Sequence, residues 1–199
     1  MSSANPAGAP NTALPHIEDL NVAIVVAEWN SHVTSRLLDG ALYVFKNEGY
    51  EPDAIDVYNV PGTVELTFAA SRLIETEQYD AVIVIGCVIR GGTPHFEYVC
   101  QSVTEGVAKL NADSDIPVIF GVLTVNTEQE ALDRVGGKMG HKGVEAAVAA
   151  IKMVDFNRTV EGMIDDDDDD EVDSVDYGAY DEEAVSYTHL RAHETEADL

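Results

Sequence analysis

The residues best equipped for chemistry cluster in one turn, Arg90-Gly91-Gly92-Thr93-Pro94-His95. His95 is the side chain suited to proton transfer near neutral pH. Gly92 and Thr93 offer backbone N–H groups and a hydroxyl to a phosphate, because a glycine-rich turn opening a helix leaves donors unpaired. Elsewhere, Trp29 could stack on a planar heterocycle, Glu65 could accept from hydroxyls, and Arg134 could supply a second cation. Arg90 admits two readings, a phosphate ligand or an ion pair with Glu97, and Arg134 suits the phosphate role better. Together these residue types point to proton transfers beside a bound phosphate ester.

The elements that must position them alternate in type. Asn21–Glu28 is a nearly unbroken β-branched run, as expected for a strand buried on both faces. A helical stripe follows (Val33, Leu37, Leu38, Ala41, Leu42, Phe45), with Asn30 or Ser31 as cap and Gly49 as stop. Ala54–Val60 predicts a second strand, ended by Pro61-Gly62, with a helix from about Thr63. Ala81–Val88 is the third strand, and Val99, Val103, Val107 and Leu110 mark the next helical face. Pro117–Thr124 is the fourth strand. Thr127 and Glu130 give a capping-box signature for a helix through Arg134, broken by Gly136-Gly137. A last helix is expected at about Gly140–Val154. Four strand–helix repeats mean a parallel sheet covered on both faces by helices, a three-layer α/β/α sandwich with right-handed crossovers. Such a sheet leaves an edge to protect, by the N-terminal segment or a neighbouring subunit.

The 199 residues divide unevenly. Residues 1–19, rich in Ser, Ala, Asn and Pro, read as a flexible arm, and residues 20–158 as one domain able to bury its own core. Residues 159–183 read as an acidic disordered tail, since consecutive aspartates repel one another and bury nothing. The formal net charge is −26, of which residues 165–199 carry −14 through 15 acidic residues and one Arg. That balance argues against nucleic acid and anionic membrane surfaces, which need a basic footprint. It suits a high-salt cytoplasm or simple solubility. Neither a signal-peptide pattern nor an apolar run near membrane-span length is read, and Cys87 and Cys100 read as reduced core cysteines of a cytoplasmic protein. Ala184–Thr195 matches, in register, the translation of a transposase sequencing adapter. Residues 184–199 are therefore expected not to be native, and His189 and His193 carry no functional claim despite their spacing. Resequencing the 3′ end of the gene tests this.

All C-terminal strand ends of a parallel sheet open on one edge. The loops expected there are Trp29-Asn30, Pro61–Glu65, Gly86–His95 and Phe120–Thr124. They bring two aromatics for a ring, backbone amides at Thr63-Val64 and Cys87-Val88-Ile89 for its edges, the Glu65 carboxylate, and the phosphate-facing turn. Each part has a plainer reading: Trp29 as packing, Glu65 as dipole placement in a first turn, His95 as structural. Their convergence favours function.

The motif Gly86-x-Val88-Ile89-Arg90-Gly91-x-Thr93-x-His95-Phe96-x-Tyr98-Val99 closely resembles the signature of the 6,7-dimethyl-8-ribityllumazine synthase family. Trp29-Asn30, Val60–Glu65, Pro117–Thr124 and the segment 134–143 extend the resemblance, in order and ungapped, over about residues 20–158. It implies a flavodoxin-like fold assembling into pentamers, with active sites between subunits. The implied reaction condenses 5-amino-6-(D-ribitylamino)uracil with 3,4-dihydroxy-2-butanone 4-phosphate, releasing phosphate and water, without metal or organic cofactor. It is the penultimate step of riboflavin biosynthesis. Carried over, His95 is the proton-transfer residue. Trp29 stacks on the pyrimidine, where an aromatic, commonly Phe, is usual. Thr63, Val64 and Glu65 hold the ribityl chain and ring edge, and Cys87, Val88 and Ile89 line the ring. Gly92, Thr93 and Arg134 hold the butanone phosphate. Phe120 is implied from the adjacent subunit and Lys142 near the pyrimidine. Val64 departs from the family, where Phe is often found, and the acidic tail has no counterpart in it.

The implied partners are the two small-molecule substrates, further copies of the chain and riboflavin synthase, with no nucleic acid or membrane. Pentamer, decamer and icosahedral shell are left open. The alternatives are a non-catalytic flavin- or lumazine-binding or cage-forming protein of the same fold, and more distantly a flavodoxin-like electron carrier. Intact Thr93, His95 and Arg134 argue against the first. The absence of glycine in Trp29-Asn30-Ser31-His32, where a carrier needs its phosphate loop, argues against the second.

Overall fold

A computed structural model describes residues 13–169. Its main sheet is parallel and four-stranded, in the order β2-β1-β3-β4, with β1 Val22–Ala27, β2 Ile55–Val60, β3 Ala81–Ile89 and β4 Val118–Val125. β1 and β3 are central and almost wholly buried, which is why they read as continuous apolar runs. Helices α1 (Ser31–Asn47) and α5 (Lys142–Asp169) cover one face. Helices α2 (Glu65–Ile74) and α3 (His95–Asp113) cover the other, giving the expected three layers. The alternation of odd and even residues divides the core: Val22, Ile24 and Val26 face α1 and α5, whereas Ala23, Val25 and Ala27 face α2 and α3.

β2 is an edge strand with four of its six residues exposed, Asp56 to Asn59, so the edge that required protection is open among the described residues. Residues 13–19, expected to belong to a flexible arm, instead place Leu14 and Ile17 against the core, next to Leu20 of the domain. Ile17 and Leu20 are buried, and the Ile17 amide donates to the Tyr50 hydroxyl at 3.0 Å. These apolar side chains lie within a segment whose overall composition suggested a linker.

Past β4, the short helix α4 (Glu128–Leu132) is capped as expected, Thr127 accepting from the Glu130 amide at 3.2 Å. The Glu130 carboxylate accepts from the Asn126 amide, so the reciprocal half of the cap falls one residue early. A small antiparallel ribbon follows, β5 Val135–Gly137 and β6 Gly140–His141, where only a helix break was expected.

α5 runs well beyond the expected end near Val154, to Asp169. Arg158 anchors it, donating to the Glu18 carbonyl and to Asp80, both at 2.8 Å. Asn157 donates to Glu161 on the next turn, and a helix nucleated and anchored this far adds residues at little cost. Helix therefore covers the first part of the segment read as a disordered tail. The rest of that tail and the adapter-like residues lie outside the described residues.

α1 and α5 meet at Gly143, whose α-carbon faces the Leu37 carbonyl so closely that a Cβ would overlap it. Gly143→Ala should therefore lower Tm by about 5–15 °C through overpacking against backbone. Gly162→Ala is the control, since nothing lies within 4 Å of its added methyl and Ala favours helix. Equal melting temperatures for the two variants would show that this contact does not constrain the fold.

Candidate active site

The C-terminal edge of the sheet gathers its groups in two places. The first lies between β1 and α2. Trp29, just past β1, lays its indole over Gly62, where a Cβ would come within 2.5 Å of Cε3 and within 3.0 Å of Glu65 Oε2. Glycine there brings indole and carboxylate together over one patch of bare backbone. Trp29 as a whole is 66 % exposed, which leaves ring surface accessible to a ligand. Thr63 is buried against Gly86, and Val64 is exposed.

Glu65 begins α2, and its Oε2 is buried with no hydrogen-bond partner in the described chain. Placement in a first turn explains a carboxylate near a helix N-terminus. It does not explain an unpartnered oxygen, because a buried acceptor without a donor costs about 1–3 kcal/mol, more when charged. Such an atom fits a ligand hydroxyl.

Asn30 links this place to β3. It is left-handed (φ 59°) and makes no side-chain cap on α1. Its amide donates to the Cys87 carbonyl at 2.8 Å. The capping role expected for Asn30 is thus replaced by a cross-strand tie. Sequence reading missed this tie; an asparagine three residues past a buried strand, able to adopt the left-handed region, was its one signal. Cys87 and Val88 are buried and Ile89 is half-buried. Burial pushes the Cys87 thiol up to about 12, so it stays protonated and is no nucleophile.

The second place is the turn between β3 and α3. Gly91, Gly92, Thr93, Pro94 and His95 are all exposed, and a Cβ at either glycine would meet nothing within 4 Å. α3 starts at His95 without a side-chain cap; the Glu97 amide donates to the Pro94 carbonyl at 3.1 Å, and the amides ahead of it are the ones an anion could use. Arg90 is not aimed at that space. Its Nε donates to Asn126 Oδ1 at 2.8 Å, its Nη1 pairs with Glu97, and its guanidinium carbon lies 4.1 Å over the Phe96 ring. The ion-pair reading of Arg90 is the one realised here. Hydrogen bonding from Arg90 holds the Glu97 carboxyl below its ordinary value.

Three expected residues make their recorded contacts elsewhere in the chain. Phe120 pairs with Val84 in mid-sheet, five residues before the end of β4, or about 16 Å down the strand. The loop expected at Phe120–Thr124 is therefore strand, and the β4 end at this edge is Val125–Asn126. Arg134, past α4, donates back to the Glu130 carbonyl at 2.8 Å. Lys142 opens α5 on the α1 side of the sheet, and its ammonium is held by both oxygens of Glu145 at 2.7 and 2.8 Å.

Residues 19–158 match the sequence profile of the 6,7-dimethyl-8-ribityllumazine synthases. The chain belongs to the 6,7-dimethyl-8-ribityllumazine synthase family. Among curated relatives of that name, one from Parabacteroides distasonis is 54 % identical over 145 residues, covering 73 % of this chain and 91 % of its own. One from Bacteroides fragilis is 55 % identical over 137 residues, 69 % of this chain and 96 % of its own. The synthase of Flavobacterium psychrophilum is 49 % identical over 140 residues, 70 % of this chain and 74 % of its own. The all-parallel sheet with helices on both faces agrees with the fold that the lumazine synthase resemblance implied.

Proposed function

We propose that this lumazine synthase family member condenses 5-amino-6-(D-ribitylamino)uracil with 3,4-dihydroxy-2-butanone 4-phosphate, and that its sites are completed between copies. The observation that carries the reading is the unpartnered Glu65 oxygen beside the exposed Trp29. A planar ring with a polyhydroxyl chain satisfies both, the ring on the indole and a hydroxyl on the carboxylate. Backbone at Cys87–Ile89, held through Asn30, would border the ring.

The chemistry asks for little beyond this. The amine adds to the ketone and loses water to an imine. Proton loss then drives β-elimination of phosphate, and the second amine closes the ring with another dehydration. Each step moves a proton or releases phosphate, so His95 at the start of α3, close in sequence to the backbone amides of Gly92 and Thr93, would serve both needs. Holding the two substrates in register would contribute most of the rate. The alternative of a pure binder leaves that turn without use. The reduced cysteines Cys87 and Cys100 suit a cytoplasmic setting, and a riboflavin synthase would consume the product.

Arg134, Phe120 and Lys142 would reach the site of an adjacent copy, which agrees with the open β2 edge and the exposed Phe68 and Tyr98. Pentamers are the assembly this reading expects. Arg134→Ala should raise KM for the butanone phosphate by about 10- to 100-fold, as loss of a charged hydrogen bond does; unchanged KM would remove Arg134 from the phosphate subsite. At limiting butanone phosphate, mixing the impaired His95→Ala subunits with Arg134→Ala subunits should restore part of the turnover, because some interfaces then combine two intact halves. No recovery in mixed assemblies would place the site within one chain. Expression in a bacterium lacking its own lumazine synthase should restore growth without riboflavin; failure of a well-expressed chain would contradict the assigned reaction.

A further inference from the structure

We propose that Arg90 is a positioning residue that brackets the β3–α3 turn and so sets His95 and the amides of Gly92 and Thr93 in their working places. The inference rests on the functional reading of that turn given above.

The turn has little packing of its own. Five consecutive residues are exposed, two are glycines, and nothing lies near the glycines to restrain them. Its shape is therefore decided at its ends. Arg90 stands at the β3 end, where its backbone N–H donates to the Val125 carbonyl at 2.9 Å. From there its planar fork reaches two separate segments. Nε takes the Asn126 side chain at 2.8 Å in the β4–α4 loop, and Nη1 takes Glu97 in the first turn of α3. The same guanidinium lies over Phe96. Phe96 and Glu97 immediately follow His95, so one cation fixes the α3 start relative to two strand ends. Asn126 is itself fixed, its amide donating to Glu130 at 2.9 Å.

A half-exposed ion pair contributes little to stability. Orientation is different, because small displacements of a catalytic group cost rate steeply. Lysine could not reproduce the arrangement, having no fork and no planar face.

The test uses the full-length chain and four variants, reading kcat, KM for each substrate, and the Kd of inorganic phosphate by calorimetry. Arg90→Met should lower kcat by about 10- to 100-fold, with KM for the pyrimidine within about twofold, since the Trp29–Glu65 place is untouched. Asn126→Leu, which removes the acceptor, should lower kcat about tenfold, whereas Asn126→Asp, which keeps an oxygen, should stay within about twofold of wild type. The double variant Arg90→Met/Asn126→Leu should be no worse than Arg90→Met alone, because the two act through one contact. Asn126→Leu with wild-type kcat, or Asn126→Asp falling as far as Asn126→Leu, overturns the bracket. If Arg90→Met does not fold, the Asn126 pair decides. Absence of turnover in the wild type would count against the functional reading instead. The bracket would then be judged by phosphate Kd, weakened severalfold in Asn126→Leu if it holds and unchanged if it does not.

Discussion

His95→Ala should lower kcat by about 10- to 1000-fold while leaving KM for both substrates nearly unchanged. His95 is the first residue of α3 and exposed, so removing its ring disturbs no core packing. The loss should therefore appear in turnover and not in Tm. A general acid–base group of this kind contributes about 10²–10⁴-fold. The lower figure is expected because imine formation and phosphate departure proceed slowly once the substrates are held together. His95→Gln should not rescue, since an amide hydrogen-bonds but does not exchange protons near pH 7. Turnover equal to wild type in His95→Ala would remove the catalytic role.

The second large effect is expected at Glu65, where function and stability should move in opposite directions. Glu65→Leu removes the buried oxygen that has no partner and supplies apolar bulk beside Gly62 and Trp29. The free protein should gain roughly 1 kcal/mol, the desolvation cost that the unpartnered oxygen imposes. The same change deprives a ribityl hydroxyl of a charged acceptor, a bond of about 1.5–3 kcal/mol, so KM for the pyrimidine should rise by about 10- to 150-fold. Glu65→Gln keeps the shape and one acceptor oxygen and should fall between. A Glu65→Leu variant that is both less stable and fully active would contradict the assignment on both counts. A protein that holds a destabilising group at a binding site for use by a ligand is a familiar trade between stability and activity.

The layers of the fold were legible because burial on both faces leaves no polar residue in β1 or β3, and because α1 and α3 bury one stripe each. β5 and β6 were not, since two- and three-residue strands are too short for period-2 alternation to register. The length of α5 was hidden for another reason. None of residues 155–164 is buried, so no apolar stripe announces this stretch, and its anchor is the long-range contact from Arg158 to Glu18 and Asp80. Placing Phe120 at a loop was an error of register. An unbroken apolar strand carries no mark of where the sheet ends, and only its pairing with Val84 reveals that Phe120 sits in mid-strand.

The grouping of the candidate residues was partly legible. Trp29, Thr63, Glu65 and Cys87 do converge, through contacts at Gly62, Gly86 and Asn30 that no spacing rule predicts. Arg134 and Lys142 were assigned to the same place, yet within one chain Arg134 donates one N–H to the Glu130 backbone carbonyl and Lys142 pairs with the Glu145 carboxylate. Motif resemblance names functional residues without saying which copy's site they serve. That information lies in quaternary geometry, and it is why subunit mixing is informative here.

The most direct measurement of the central claim is turnover by the purified wild-type protein given both substrates. Lumazine fluorescence and phosphate release should rise together in a 1:1 ratio, and either substrate alone should give neither signal. Phosphate release without lumazine, or no product from folded protein that binds the pyrimidine, would contradict the account.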